Sequence, residues 1–262
     1  MRQFDVFVFD ENFDESQGNP QPPFTDPELG WFFTNDWNKH LNEIEGEWVV
    51  FAHPCVKIDR AFLNNVAEVT DSFPMVDAFA PRIRTNKGTF LGGYLLRPAT
   101  KGSGFIEIDE NAPMRYVASP HPYLAVYSKR IIQRTGGFDT TLPANARLAD
   151  FTLRMMHAGG RMFSVPYLVA QTIADNVASE STSEANTKND TNTIASGIAL
   201  NLKATAIILS KAFGIEASLP FALHHPSVIP TLFRNRSIIK EKRKAATLLS
   251  KLKADFLKEV TL

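Results

Sequence analysis

The chain has 262 residues, 44% of them hydrophobic, and 28 Lys and Arg stand against 28 Asp and Glu. That is enough apolar material for one large α/β domain, or a domain with an appendage. A single cysteine, Cys55, excludes an internal disulfide, and no apolar run reaches the roughly 18 residues a spanning helix needs.

The chain opens on "FDVFVFD" at 4–10, apolar at most positions and closed by acids, which reads as a buried strand. The residues before it carry no basic leader and no long apolar stretch, so a cytoplasmic protein is expected. Residues 19–30 read as a Pro-rich loop. Residues 34–45 read as a helix, with Trp37, Leu41 and Ile44 at helical spacing and Gly46 as its stop. "EWVVFA" (47–52) is the next strand. A helix over 59–73 follows, capped by Asp59, with Phe62, Val66 and Val69 on one face. "VDAFAPRI" (76–83) is a strand, and the Gly- and turn-rich 85–116 reads as a hairpin or insertion.

"YLAVYSKRIIQRTGGFD" (123–139) reads as strand, helix and turn. Residues 146–160 form a helix with Leu148, Phe151 and Met155 on one face, ended by Gly159-Gly160. "RMFSVPYLVA" (161–170) is a further strand. The alternation implies an α/β fold, a mostly parallel central sheet flanked by helices. Residues 174–193 hold one large apolar side chain, Val177, and are expected to be an exposed mobile loop. Helices over about 194–213 and 237–260, joined by a loop over 219–230, form a helical C-terminal extension. The organisation is thus 1–173, 174–193 and 194–262. Between Arg234 and Lys258 nine Lys and Arg face two acids, leaving the rest of the chain net acidic by seven. An acidic body with a basic tail argues against a general nucleic-acid binder.

"YSKRIIQRTGGFDTTLPANARLADFTLRMMHAGGRMFSVP" carries a resemblance. Gly136, Gly137, Phe138 and Asp139, then Asp150, Leu153 and Arg154, then Gly159-Gly160 and Val165-Pro166 are similar, in order and spacing, to the second half of family 2 glycosyltransferases. Gly30, Asn35, Gly46 and Trp48 resemble its first half more loosely, and the match spans roughly 4–172. The resemblance implies a GT-A fold, a nucleotide-sugar donor, and a saccharide or lipid-linked acceptor in polysaccharide biosynthesis. Asp150 falls on the position of the base that deprotonates the acceptor. It reads equally as a helix N-terminal acid. Asp10, Asn12 and Asp14 resemble the acidic segment near the nucleotide, and read also as a turn.

Two departures accompany the match. The family has about thirty more residues in front, so either its first strand and helix are missing here, or 4–10 is itself the first strand and the second is lost. After the "WVVFA" strand the family places an Asp-x-Asp motif that holds Mg²⁺ or Mn²⁺ on the donor diphosphate. Here the residues are His53, Pro54 and Cys55, so the motif is degenerate. Neutral His and Cys are poor ligands for Mg²⁺. No cofactor is therefore assigned, with Mn²⁺ or Mg²⁺ kept as the alternative the resemblance implies, and His53 and Cys55 are expected as donor-site lining. His121, Gly137, Phe138, Asp139 and Arg154 are expected on the acceptor side. Arg154 also reads as the i, i+4 ion partner of Asp150. The Ile238, Ala245, Leu249, Leu252, Phe256, Val260 stripe, opposed by Lys and Arg, reads as core packing or as contact with an anionic membrane or a partner protein. The function expected is sugar transfer, with a catalytically inactive binding or scaffolding relative as the alternative. A Rossmann nucleotide enzyme is weaker, because no Gly-x-Gly-x-x-Gly loop follows a strand.

Overall fold

The computed structural model describes residues 3–10, 12–14, 16, 20–24, 26, 29–97, 104–173 and 202–249. In chain order the strands and helices are β1 (Phe4–Phe9), β2 (Leu29–Thr34), β3 (Trp48–Ala52), β4 (Val56–Lys57), α1 (Arg60–Ser72), β5 (Ala78–Arg84), β6 (Phe90–Leu91), β7 (Tyr94–Leu96) and β8 (Phe105–Glu107). There follow β9 (Arg115–Tyr116), β10 (Leu124–Ser128), α2 (Lys129–Thr135), α3 (Ala144–His157), β11 (Met162–Thr172), α4 (Leu202–Phe213), α5 (Ile215–His224), α6 (Ile229–Arg234) and α7 (Arg236–Leu249). The expected loop at 174–193 and the residues beyond 249 lie outside the described residues.

The main sheet runs β2-β1-β3-β10-β5-β11-β4. Five of these seven strands point the same way; β10 and β4 run against them. β1 is interior, with β2 and β3 parallel on either side. β10 alone joins the β2-β1-β3 half to the β5-β11-β4 half. Alternate side chains face opposite ways. Phe7, Phe51, Ala125 and Tyr127 pack towards α2, α3 and the C-terminal helices, while Val6, Val50, Leu124 and Val126 pack towards α1.

Local chemistry accounts for the elements. The Asp59 carboxylate accepts the Phe62 amide at 2.9 Å and caps α1. Ser128 caps α2 through the Ile131 amide, and Gly136 ends it at φ +81°. Gly46 turns the chain so tightly under β1 that a Cβ there would lie 2.7 Å from the Phe4 carbonyl carbon. The buried Asp5 carboxylate accepts the Glu45 and Gly46 amides at 2.8 and 2.7 Å and fixes that turn.

The structure departs from expectation in three places. Residues 29–34, of which the sequence reading assigns 29–30 to a loop and Thr34 to a helix and leaves 31–33 unassigned, form strand β2. The helix expected over 34–45 is a set of turns ending in a 3-10 turn at Leu41–Glu43. Thr34 Oγ1 accepts the Asp36 amide and Asp36 Oδ1 accepts the Asn38 amide, so side chains take the hydrogen bonds a helix needs. The segment expected as a loop at 219–230 is largely helical, as α5, a 3-10 turn at Pro226–Val228 and the start of α6.

The insertion at 85–116 contains the β7–β8 ribbon, as expected. On it, burial pushes the Glu107 carboxyl up to about 7, against the pull of the Gly92 amide it accepts at 2.9 Å. The folded state therefore keeps a proton that the unfolded chain releases near pH 4.3–4.5. Stability is expected to fall as pH rises from about 4.5 to 7, and Glu107→Gln to flatten that slope. Urea midpoints measured across this range check the sign.

Candidate functional site

A cleft of about 530 Å³ opens at the C-terminal ends of β1 and β3. In open α/β sheets ligands bind at this edge. Three successive parts of the chain build it. Asp10 follows β1 directly; its amide donates to Thr34 O at 3.1 Å, and its Oδ1 accepts the Asn12 amide at 2.9 Å. His53 follows β3; its amide donates to Tyr123 O at 2.9 Å, and the chain turns through Pro54 and Cys55 so that Val56 N–H returns to His53 O. Pro143, Ala144 and Asn145 at the start of α3 form the third wall, with Pro122 and Tyr123 beside them. Phe9, Trp37 and Phe51 line the apolar part.

His53 is held from both sides. Its ring stacks on Tyr123 with centroids 4.5 Å apart. Its Nδ1 accepts the Cys55 amide at 3.2 Å, with the Cys55 Sγ at 2.8 Å. An amide N–H only donates, so Nδ1 carries the lone pair and the ring proton sits on Nε2. Behind Tyr123 lies His121, 1% exposed, whose Nδ1 accepts the Tyr123 amide at 3.3 Å. Burial pulls its pKa down to about 3, with the nearby His53 ring a smaller cause in the same direction, so it stands neutral.

Asp10, Asn12 and His53, read from the sequence as donor-side residues, thus share one cleft. Asp14 and Cys55 do not line it. Asp14 caps its own turn through the Ser16 amide, and Cys55 supports the His53 ring. The residues expected on the acceptor side are placed elsewhere. His121 is sealed behind Tyr123. Phe138 is buried against Trp37, Phe51 and Phe151, with centroids 4.9, 5.0 and 4.6 Å away, and so backs the cleft wall. Asn38 clamps that segment: its Oδ1 accepts the Phe138 amide at 2.7 Å and its Nδ2 donates to Phe138 O at 3.0 Å. Gly137 O accepts from Arg154.

Asp139, Asp150 and Arg154 belong to a buried ion cluster. Asp150 is 2% exposed and lies within α3, away from the residues that line the cleft. Arg154 Nε donates to its Oδ2 at 2.9 Å, and Lys211 Nζ from α4 meets its Oδ1. Lys211, 3% exposed, also donates to Asp139 Oδ2 at 2.7 Å, and Lys242 from α7 reaches Asp139 Oδ1 at 2.5 Å. Burial pushes the Asp139 carboxyl up, but hydrogen bonds from Lys211, Lys242 and Thr141 outweigh it and hold it well below the usual carboxylate range. In this arrangement Asp150 ties the C-terminal helices to the domain. Sequence reading missed Lys211, although a single Lys inside the apolar run "ATAIILSKAF" is a signal for a buried partner. It also missed Tyr123 and Asn145 in the cleft walls.

The described residues do not fit a hard divalent ion. Among the described residues one carboxylate lines the cleft, Asp10, and one Oδ of it already accepts the Asn12 amide. His53 Nδ1 is engaged by Cys55. Among the described residues no three His, Cys, Asp or Glu side chains are gathered as a ligand set.

The sequence matches no family model and no curated protein. Solved structures do match. The chain superposes on GalNAc-T7, solved with UDP, GalNAc and Mn²⁺, with a TM-score of 0.59 at 9% identity. The match covers 98% of this chain and 56% of GalNAc-T7, so the chain spans just over half of that structure. A mannosyltransferase from Pyrobaculum calidifontis, solved with GDP-Man and Mn²⁺, aligns at 16% identity over 98% of this chain and 78% of its own, with a TM-score of 0.42. Residues 1–349 of S. aureus TarS, solved with UDP-GlcNAc, align at 13% identity over 88% and 73%, with a TM-score of 0.45. The fold is that of GT-A glycosyltransferases.

Proposed function

We propose that this chain is a glycosyltransferase-type protein that holds a nucleotide-sugar donor in the cleft at the ends of β1 and β3. The sugar would pass to a saccharide or lipid-linked acceptor without the usual divalent ion. One observation carries the reading: Asp10 and Asn12 after β1 and His53 after β3, more than forty positions away, converge in a single cleft of ligand size. GalNAc-T7, of the same fold, was solved with UDP. Thermal shift with UDP-, GDP-, CDP- and dTDP-sugars, with and without Mn²⁺, tests it. A donor at a hundredfold excess over its Kd is expected to stabilise the native state by about 2.7 kcal/mol. His53→Ala is expected to remove that shift. No shift with any donor would sink the reading.

A second reading, a binding or scaffolding module without transfer, is favoured by the burial of Asp150 between Arg154 and Lys211. A base must reach the proton it removes. As a base, Asp150 would first have to part from Lys211. Donor hydrolysis or transfer that survives in the wild type and is lost in Asp150→Asn, with folding retained, would decide for the enzyme.

Contact with an anionic membrane through the C-terminal helices belongs to the same proposal. In α7, Ile239 is buried, whereas the neighbouring Ile238 is exposed. Ala245, Leu249 and the rest of the Ile238 stripe lie outside the described side chains. Arg234, Arg236, Lys240 and Lys244 are exposed nearby in sequence. Cosedimentation with phosphatidylglycerol vesicles, weakened by salt, is expected; equal binding to neutral vesicles, or none, argues against it. No helix among the described residues is long and apolar enough to cross a membrane.

A further inference from the structure

The far half of the sheet leaves part of one face open. Lys57 of β4, Gln171 of β11 and Arg84 of β5 stand in one row across three strands, and Phe90 of β6 continues it past Arg84. The residues just before them, Val56, Ala170 and Ile83, point the other way and are buried with Phe62 and Val66 of α1. Lys57, Gln171 and Arg84 are exposed, and Phe90 is half-buried. β5 and β11 are interior strands, which in a mostly parallel sheet are ordinarily covered on both faces. The cover stops two residues inward, where Arg82, on the same face as Arg84, is 4% exposed and donates to Glu110 O and Ala112 O. The row shares an edge with the cleft. β3, β5 and β11 run the same way, so His53, Arg84 and Gln171 all stand at C-terminal strand ends. Arg84 follows Ala78 and Ala80 on the face that carries Phe51 of the cleft wall. The chain passes from His53 to Lys57 in four residues, and Ile173 N–H donates to Cys55 O at 2.7 Å, tying the end of β11 to that turn.

The charges of the row do not cancel. Lys57 pairs with Asp59 at 3.2 Å, and Asp109 and Glu110 act on the buried Arg82. Arg84, and Lys87 in the turn after β5, are exposed and have no acidic partner among the described residues. The Arg84 guanidinium lies over the Phe90 ring, 6.0 Å from its centroid, which steadies the planar fork. Such a fork takes a phosphate or a carboxylate through two parallel hydrogen bonds. Gln171, next to it, presents an amide that both donates and accepts, the complement of a hydroxyl. Two strand spacings, about 10 Å, separate the backbones of Lys57 and Arg84, with Gln171 between them. A sugar unit bearing one negative group answers both the amide and the fork.

The geometry points to this row as a subsite for an anionic saccharide, its phosphate or carboxylate on Arg84 and its hydroxyls on Gln171. Its role as the acceptor subsite rests on the cleft being the donor site; the acceptor class is then a sugar that carries a negative charge.

Amide NMR spectra of the isotope-labelled full chain, titrated with glucose-6-phosphate, glucuronic acid, glucose and inorganic phosphate, test the subsite. Glucose-6-phosphate or glucuronic acid, the two sources of the charge, is expected to bind about tenfold or more tighter than glucose and to lose that advantage at high salt. The amides of Lys57, Arg84, Phe90 and Gln171 should shift. Arg84→Gln should bring the charged sugar down to the affinity of glucose, and Gln171→Ala should weaken both sugars severalfold. Both side chains are exposed, so the variants are expected to keep the wild-type thermal midpoint. A charged sugar that binds no tighter than glucose overturns the subsite. So does inorganic phosphate binding as tightly as glucose-6-phosphate, a preference that Arg84→Gln leaves intact, or shifts confined to α6 and α7. Thermal shift with the donor sugars on the same samples keeps the two readings apart. Donors that bind where charged sugars fail sink the subsite and leave the donor site standing. Charged sugars that bind through Arg84 where every donor fails leave the subsite standing and sink the donor reading. If neither binds, both fall.

Discussion

Replacing Lys211 with methionine is expected to destabilise the protein by about 3 kcal/mol, one of the largest effects available from a single substitution. Lys211 is the only residue of the cluster that touches both Asp139 and Asp150. Removing one partner of a buried ion pair costs roughly 3–5 kcal/mol because the other charge stays in a low-dielectric site. Here the low end applies, since Arg154 still serves Asp150 and Lys242 still serves Asp139. Urea unfolding gives the number, and Asp150→Asn in the same background gives the coupling. If the cluster acts as a unit, the double variant is less destabilised than the sum of the singles. A loss under 1 kcal/mol for the lysine variant would mean that the cluster is not holding the helices. The sign with pH is fixed by Asp139. Its carboxyl is held below its unfolded value, so its contribution is present above the ordinary carboxylate range and is lost only as pH falls beneath it. This trend is opposite to that of Glu107.

Phe51→Ala is expected to cost about 3–5 kcal/mol, in the range for a large aromatic removed from a packed core. Phe51 is 1% exposed and meets Phe7, Trp37, Tyr127 and Phe138, so its removal opens a cavity bounded by rings that cannot easily collapse. It also lines the cleft. Any ligand of the cleft should therefore bind more weakly to the variant even where it remains folded. Phe51→Leu, keeping more of the volume, should recover much of the stability but not the flat aromatic wall. Denaturant midpoints and calorimetry on the two variants separate the effects.

β1, β3, β5, β10 and β11, with α1, α2 and α3, were legible from their apolar runs and periodicity, helped by caps at Asp59 and Ser128. Where side chains outbid the backbone, as at Thr34, Asp36 and Asn38, the same apolar spacing at Trp37, Leu41 and Ile44 misled, since it records burial and not hydrogen bonding. That Asp10 and His53 share one sheet edge was legible because a strand end is a local feature; each follows directly on a strand. The surroundings of Asp150 were not. Whether Asp150 faces a cleft or a lysine depends on how α4 docks, and the pairing of Lys211 with residues more than sixty positions earlier leaves no local trace. Asn38 holding Phe138 across 100 residues is illegible for the same reason.

The place of β10 in the sheet has a consequence for how the chain assembles. During synthesis β2, β1 and β3 emerge together and can pair early, but the far side of β3 keeps an open row of amides and carbonyls until Leu124–Ser128 arrives. On the other flank β5 waits for the same strand and then for β11. For over seventy residues of elongation the nascent sheet presents a hydrophobic, unprotected edge, the kind that recruits other chains. Refolding yield should then fall steeply with protein concentration. Hydrogen-exchange pulses during refolding should show the amides of β3 that face β10 gaining protection last in that strand, and together with those of β5.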